Sequence, residues 1–387
     1  MEQLRRQDIL HQHNIKLVLR EMFNHQKISR VDIARRLKLN KSTVSNLYSE
    51  LEERGYTLEV GSGESTKAGG RKPVLLTINT KFGYFLNFDL GFNHLHVMAN
   101  YFNGDVAYFR RINTRDYSIH QILTVIDHEI QKSFRQVQTD EGLLGICFSI
   151  HGVVVNNKVV TSPWINMEDV NLVEYFTAKY AVPIILENEA NLAAIYERDF
   201  NGAAGKENIL MLSIHKGIGA GIIWNNRLYR GYNGTAGEIG RSLMFTDGNS
   251  LLNDKKQKVE DYCSEDAIID QIKEQKQLTT LIRDDVVRLD AEGDQEVKQI
   301  LTSFSDSIAR IIFNVTTTLA PEAIYINSPL IESIPRLMSQ IQRALHQLGI
   351  TQPVALTKNS SYATMLGGCS LILHRVMEMD DFDLHFT

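Results

Sequence analysis

Residues 28–56, ISRVDIARRLKLNKSTVSNLYSELEERGY, carry apolar side chains at helical spacing in two short blocks three residues apart. Ile33, Ala34 and Leu37 make one face, and Val44, Leu47, Tyr48 and Leu51 make the next, at i, i+3, i+4 and i+7. Two helices this short cannot bury such stripes alone, so they need a third. It lies upstream, where Ile15, Val18, Leu19, Met22 and Phe23 recur at i, i+3, i+4, i+7 and i+8. Ser29 with Asp32 three residues on predicts a capping box at the start of the middle helix. Lys38-Leu39-Asn40 is the connector, with Asn40 as the expected cap of the third helix, and Gly55 closes that helix as a C′ glycine.

The third helix turns Lys41, Ser42, Thr43, Ser45, Asn46 and Ser49 away from the apolar face. Short polar side chains near a helix N-terminus reach base edges and phosphates when that end enters a major groove. YTLEV (56–60) and VLLTIN (74–79) then read as two strands around GSGESTKAGGRKP, giving a winged helix-turn-helix. In the wing loop, Arg71 and Lys72 follow two glycines and precede Pro73, which suits insertion into a narrow minor groove; a flexible basic linker is the alternative. Charge agrees with a DNA-facing head. Residues 1–73 hold 14 Lys+Arg against 9 Asp+Glu, whereas the remainder holds 27 against 37.

From about residue 81 the pattern changes to alternating strands and helices. Strands are expected at 84–90, 95–102, 143–149, 184–187, 208–214, 219–224 and 323–327, with helices at 119–137 and 296–319. This is an α/β body in two lobes. No apolar run approaches the ~18 residues of a membrane span, and the start, MEQLRRQDIL, lacks the apolar stretch of a signal peptide. The three cysteines, Cys147, Cys263 and Cys369, stand in no metal-binding spacing and suit a reducing cytoplasm.

Four segments, FDLGFNHLHV (88–97), ILENEANLAA (185–194), LSIHKGIGAGII (212–223) and GYNGTAGEIGR (231–241), together with the head and its GGRKP, make the chain resemble the ROK family of repressors, open reading frames and sugar kinases. The head places it with the repressor branch, since the kinases lack it. The resemblance implies an α/β fold class: an N-terminal winged helix-turn-helix (1–80), then a two-lobed actin-like, sugar kinase-like ATPase fold (81–387) for effector binding and dimerisation.

The resemblance also shows where the chain departs from the kinases. Their phosphate hairpin reads Asp-x-Gly-Gly-Thr; here it is Asp89-Leu90-Gly91-Phe92-Asn93, and Phe92 is expected to crowd the phosphates. Their catalytic aspartate is replaced by Glu189, whose longer arm displaces the carboxylate by more than ~1 Å. Glu189 either hydrogen-bonds a sugar hydroxyl or supports the following helix. Gly217-Ile218-Gly219-Ala220-Gly221 keeps the glycines of the second phosphate loop, behind His215-Lys216, and Asn327-Ser328 stands where kinases have paired glycines. After Gly237-Glu238-Ile239-Gly240 comes Arg241 rather than His, and the zinc-binding cysteine cluster is reduced to Cys263, so no metal is expected.

The sugar side of the family site is better kept. Glu238 and Asn188 match residues that read sugar hydroxyls, and Gly152 matches a glycine that lets the backbone approach the ring. His151 either contacts ligand or is a satisfied half-buried histidine, and Trp164 either stacks on a sugar ring or packs. The expected protein is a cytoplasmic, sugar-responsive regulator, a repressor, with no cofactor and no catalytic residue. Its partners are a palindromic double-stranded operator bound as a homodimer and a sugar or sugar-derivative effector. Sugar held by Asn188, Glu189 and Glu238 is expected to close the lobes and change the spacing of the two heads. Two alternatives stay open: a DNA-tethered kinase with residual activity, and a regulator that senses a partner protein.

Overall fold

The computed structural model describes residues 2–63, 72–201, 203, 205–243 and 258–386. The head consists of α1 (Glu2–Phe23), a two-residue strand β1 (Ile28–Ser29), α2 (Arg30–Leu37), α3 (Lys41–Glu53), β2 (Thr57–Ser62) and β3 (Val74–Ile78). All five stripe residues of α1 are buried, as are Ile33, Ala34, Val44, Leu47, Tyr48 and Leu51. Ser29 caps α2 by accepting from the Asp32 N–H (3.1 Å), while its hydroxyl donates to the Asp32 carboxylate (2.6 Å). Asn40 sits at the N-cap of α3 but makes no side-chain cap hydrogen bond, contrary to expectation. At the other end, Gly55 (φ +79°) and Tyr56 donate to the Glu52 and Leu51 carbonyls. That pair of bonds is a Schellman motif, and it needs the left-handed backbone that glycine adopts without strain. The sequence reading missed β1, which pairs with β3 to make a three-stranded sheet in the order β1-β3-β2.

Beyond the head, β4 (Tyr84–Leu90), β5 (His94–Tyr101), β6 (Val106–Asn113), α4 (Ile119–Gln136), β7 (Leu143–Ile150), β8 (Val153–Val155), β9 (Lys158–Thr161), α5 (Leu172–Thr177), β10 (Ile184–Asn188) and α6 (Glu189–Asp199) follow. Next come β11 (Ile209–Ile214), β12 (Ile218–Trp224), β13 (Arg227–Leu228), α7 (Glu260–Cys263), α8 (Glu265–Gln275), α9 (Arg283–Glu292) and α10 (Gln295–Leu319). The remaining elements are β14 (Ala323–Asn327), α11 (Pro329–Ser333), α12 (Pro335–Gln347), β15 (Val354–Leu356) and α13 (Ser360–Val376). Among the described residues, no helix is long and apolar enough to cross a membrane.

The chain forms two compact units, residues 1–189 with 365–387, and residues 190–364. Each holds a five-stranded sheet, ordered β10-β7-β4-β5-β6 in the first and β13-β12-β11-β14-β15 in the second. The two have the same plan. An antiparallel meander (β4-β5-β6; β11-β12-β13) continues through parallel neighbours of its first strand (β7, β10; β14, β15). The core strands are apolar because both faces are covered: β4 and β11 are buried along their whole lengths. On the first sheet α13 comes close, with Gly145 and Gly368 leaving no room for a Cβ beside Ile372 and Asn87 (2.6 and 2.9 Å).

Within the first unit the head is fastened to the sheet by aromatic rings. Phe102, fully buried in the β5–β6 turn, meets Phe23 of α1 (5.7 Å between centroids), Tyr56 (5.8 Å), Phe82 (4.9 Å) and Phe85 (6.4 Å). Asn79 adds a polar tie, its Nδ2 donating both to the Gly55 carbonyl within the head (2.9 Å) and to the Asp140 carboxylate beyond it (3.4 Å). The segment after α13 closes the other side: Lys16 donates to the Glu378 carbonyl (2.7 Å), and Asn24 exchanges hydrogen bonds with Asp383 and His385. Phe102→Ala is expected to destabilise the protein by about 3–5 kcal/mol. It should also speed proteolysis near residue 80 relative to the rest of the chain; equal protection there would argue against this docking.

One buried acid in the second unit makes stability depend on pH. Glu197 on α6 is fully buried, and burial raises its carboxyl pKa to about 7 despite hydrogen bonds from Asn201 and Thr357. Because the folded pKa is raised above the ordinary 4.5, stability falls as pH rises from that value and is lowest above about 7. Glu197→Gln should therefore gain on the order of 2 kcal/mol over the parent at pH 8 and little at pH 4.5 in urea unfolding. A gain independent of pH would contradict this.

Candidate ligand and DNA-binding sites

On the head, α3 presents Lys41, Ser42, Asn46 and Ser49 fully to solvent, with Thr43 and Ser45 partly so. These residues share one side because Val44, Leu47, Tyr48 and Leu51 fill the other. Tyr48 is also held in place: it donates to Glu52 (2.9 Å), and the Arg30 guanidinium lies 4.5 Å over its ring. Burial, then Glu52, raises its phenol pKa, so it stays neutral. The wing is the β2–β3 hairpin, closed at its base by Gly63 N–H donating to the Pro73 carbonyl (2.8 Å). Lys72 is exposed beside that closure, whereas Arg71 lies outside the described residues.

In the first unit, the β4–β5 hairpin has a two-residue loop, Phe92-Asn93, with Gly91 N–H donating to the His94 carbonyl (3.0 Å). That register sets Asp89 opposite His96. With side chains alternating along each strand, Asp89, Gly91, His94 and His96 all fall on one face. Asp89 is buried there and surrounded by partners. The Ser149 hydroxyl donates to Oδ1 (2.7 Å), His151 Nε2 lies 3.0 Å from the same oxygen, and His96 Nδ1 lies 3.3 Å from Oδ2. His94 Nε2 is 4.0 Å from Oδ2.

Burial alone would discourage the Asp89 charge, but His151 and then His96 outweigh it and hold the carboxyl well below its usual range. His151 is shifted the opposite way: burial lowers its pKa, but Asp89 and Glu189 raise it to about 9. His94, by burial and the neighbouring His96, is lowered to about 4. So His151 engages Asp89, the second of the roles considered for it.

This arrangement alters the account of the hairpin. The space over Gly91 is occupied by the His94 imidazole, 2.5 Å from where a Cβ would stand. Phe92, expected to do the crowding, is instead 44% exposed and meets Trp164 edge-on (6.1 Å). Trp164 thus has a packing partner. A cavity of about 430 Å³ opens along the same loop, lined by Ser162, Asn166, Asp169 and Leu186 among others. His94 and His96 were missed as site residues, although the register of a two-residue hairpin loop would have placed them beside Asp89.

Gly152 and Asn188 come together in the first unit. Asn188 Nδ2 donates to the Gly152 carbonyl (2.8 Å), and its N–H donates to Glu187 (2.9 Å). Glu189 opens α6 and is buried. Gly152 has a structural requirement of its own, since a Cβ there would stand 2.0 Å from the Thr161 carbonyl oxygen.

In the second unit Glu238 leads a single 3₁₀ turn (Ile239–Arg241), with its carboxylate 3.7 Å from Arg241. Gly237 before it (φ +85°) lies against the Ala220 carbonyl, 1.8 Å from a would-be Cβ. Of the glycines at 217, 219 and 221, Gly217 lies in the tight β11–β12 turn, while Gly219 and Gly221 belong to β12 opposite Ser213 and Met211; Gly221 admits the Ala190 carbonyl of α6, so at least this glycine serves packing. Asn327 is buried at the end of β14, and both its amide atoms lack a partner among the described residues. The segment 244–257, which would carry most of a zinc cluster, lies outside the described residues; Cys263 beyond it is buried and its thiol pKa is raised by burial.

Comparison with known proteins agrees with this architecture at both ends. A winged helix-turn-helix DNA-binding model matches residues 12–56, and the ROK family model matches residues 86–375. The chain belongs to the ROK family. It is 47% identical over 378 residues to a xylose repressor of Lactiplantibacillus pentosus, covering 97% of this chain and 96% of that one. It is 30% identical to the xylose repressor of Bacillus subtilis, over 95% and 96% of the two chains. Among solved structures, a ROK family transcriptional regulator homologous to the E. coli MLC protein superposes with a TM-score of 0.78 at 20% identity, over 96% and 98% of the chains. A ROK glucokinase from Streptomyces griseus superposes at 0.65 and 18% identity, covering 75% of this chain and 99% of its own. The ROK protein described here is a sugar-responsive transcriptional repressor, with a winged helix-turn-helix followed by a sugar kinase-like body.

The close fit of Gly152 generates a test. Gly152→Ala should cost about 1–3 kcal/mol by overpacking against Thr161, with or without sugar. Unchanged thermal stability combined with weaker sugar binding would instead assign the glycine to ligand approach.

Proposed function

We propose that this protein is a cytoplasmic xylose-responsive repressor of carbohydrate-utilisation genes. It binds a palindromic operator as a homodimer through Lys41, Ser42, Thr43, Ser45, Asn46, Arg71 and Lys72, in a head reaching to about residue 80. The observation that carries this reading is the 47% identity, over nearly the full length of both chains, to a protein named a xylose repressor. In the body, residues 81–387, Gly152, Asn188, Glu189 and Glu238 read the sugar, offering amide and carboxylate groups that complement hydroxyls. Sugar binding favours one arrangement of the body, and the repressor releases DNA as that arrangement becomes populated.

The protein does not phosphorylate its effector. Two observations support this: an imidazole fills the place over Gly91, and Glu189 replaces the expected aspartate. A hairpin that cradles phosphate needs that space for backbone N–H groups to face the anion.

The reading is tested by fluorescence anisotropy of a labelled fragment from upstream of the coding sequence, at physiological salt with competitor DNA. Nanomolar-range binding weakened at least tenfold by xylose is the expected result. Asn46→Ala should lower operator affinity by about 1–3 kcal/mol without altering the xylose response. Glu238→Ala should leave DNA binding intact and abolish the response. Specific binding that xylose leaves unchanged, or that only another sugar alters, would overturn the assignment of the effector.

A further inference from the structure

The face of the β4–β5 hairpin holds a set of donors that neither DNA nor sugar binding uses. Among the described residues, Asp89, His94 and His96 alone bring three candidate metal-ligand atoms within 4.8 Å of one another. We propose that these three residues form a binding site for a divalent first-row transition ion, zinc in the first instance.

Three observations carry the proposal. The first is the donor set. Two imidazoles and one carboxylate suit zinc and its neighbours, and the arrangement leaves a fourth position for water. The second is distance. Tetrahedral coordination at roughly 2.0–2.2 Å places neighbouring donors about 3.3–3.6 Å apart. Asp89 Oδ2 and His96 Nδ1 already stand 3.3 Å apart, and His94 Nε2 is 4.0 Å from the same oxygen. A small rotation of the His94 ring, which is 27% exposed and lies beside the His96 ring (4.3 Å between centroids), brings it in.

The third observation is the support behind the carboxylate. Ser149 and His151 both engage Oδ1 (2.7 and 3.0 Å), which fixes the plane of Asp89 and turns Oδ2 toward the two histidines. Orienting contacts of this kind are how proteins fix a ligating carboxylate. Gly91 contributes the room in which the His94 ring lies. Arg111, opposite His96 on β6, and His151, against Asp89 Oδ1, are the nearby charges that oppose a cation and limit its affinity.

The test uses the full-length protein, stripped with chelator, titrated with zinc alone by calorimetry and then with cobalt followed by visible absorption. One ion per chain is expected, with the intense absorption of low-coordinate cobalt. His94→Ala and His96→Ala should each weaken binding at least tenfold, and Ser149→Ala, which touches no ion but removes the hydroxyl that orients Asp89, should weaken it by about 10–100-fold. Melting curves without metal identify any variant that has simply lost its fold, and His346→Ala, elsewhere on the molecule, should bind as the parent does. Absence of a tight equivalent would overturn the proposal. So would binding unaffected by His94→Ala and His96→Ala, which would put the ion on other residues. Neither result bears on the response to xylose, so this proposal and the assigned effector fail separately.

Discussion

The Phe102 ring holds the DNA-binding head to the body. It lies in a turn of the first sheet, yet its neighbours include the last residue of α1 and Tyr56, the residue that completes the Schellman motif after α3. Aromatic contacts of this kind gain about 0.5–1.5 kcal/mol each beyond the area they bury. Several around one side chain define an orientation as well as an attachment. The hydrogen bonds of Asn79, Lys16 and Asn24 act at the rim of the same junction. The exposed polar face of α3 therefore has a fixed relation to the sheet that carries Asp89, because both are parts of one packed unit.

The two sheets share a plan but not a content. In each, the first two strands form a hairpin. In the second unit the tip is His215–Gly217, and Gly221, farther along β12, is explained by the approach of the Ala190 carbonyl. In the first unit the tip carries His94, and the strand behind it presents Asp89 to His96 and His151. The shared plan thus ends in two different turns, of two residues in the first unit and three in the second, with different side chains on the strands behind them.

Legibility in the sequence follows the range of the interactions. The head was readable because its determinants are local: the apolar face of α3, the cap at Ser29 and the stop at Gly55 each depend on residues within one or two turns. Asn40 shows the limit, since a good cap residue need not cap. The central strands of both sheets stood out as apolar runs. The short strands β1 and β15, and the edge strand β6, did not, because only distant partners make strands of them. The return of α13 to the first sheet was equally hidden, although Gly145 and Gly368 mark its close approach. Asp89, Asn188 and Glu238 were singled out by the family resemblance, but the Asp89–histidine cluster needed the hairpin register to be carried through to side-chain directions.

The bonds between Asn24 and the segment around Asp383 join parts of the chain separated by some 360 residues. During synthesis the helices of the head leave the ribosome before the body, and domains generally fold in that order. The head's docking surface near residue 385 follows some 360 residues later. A nascent chain can therefore own a folded winged helix well before that helix is fixed in place, so the competent regulator waits for that distant segment to be made.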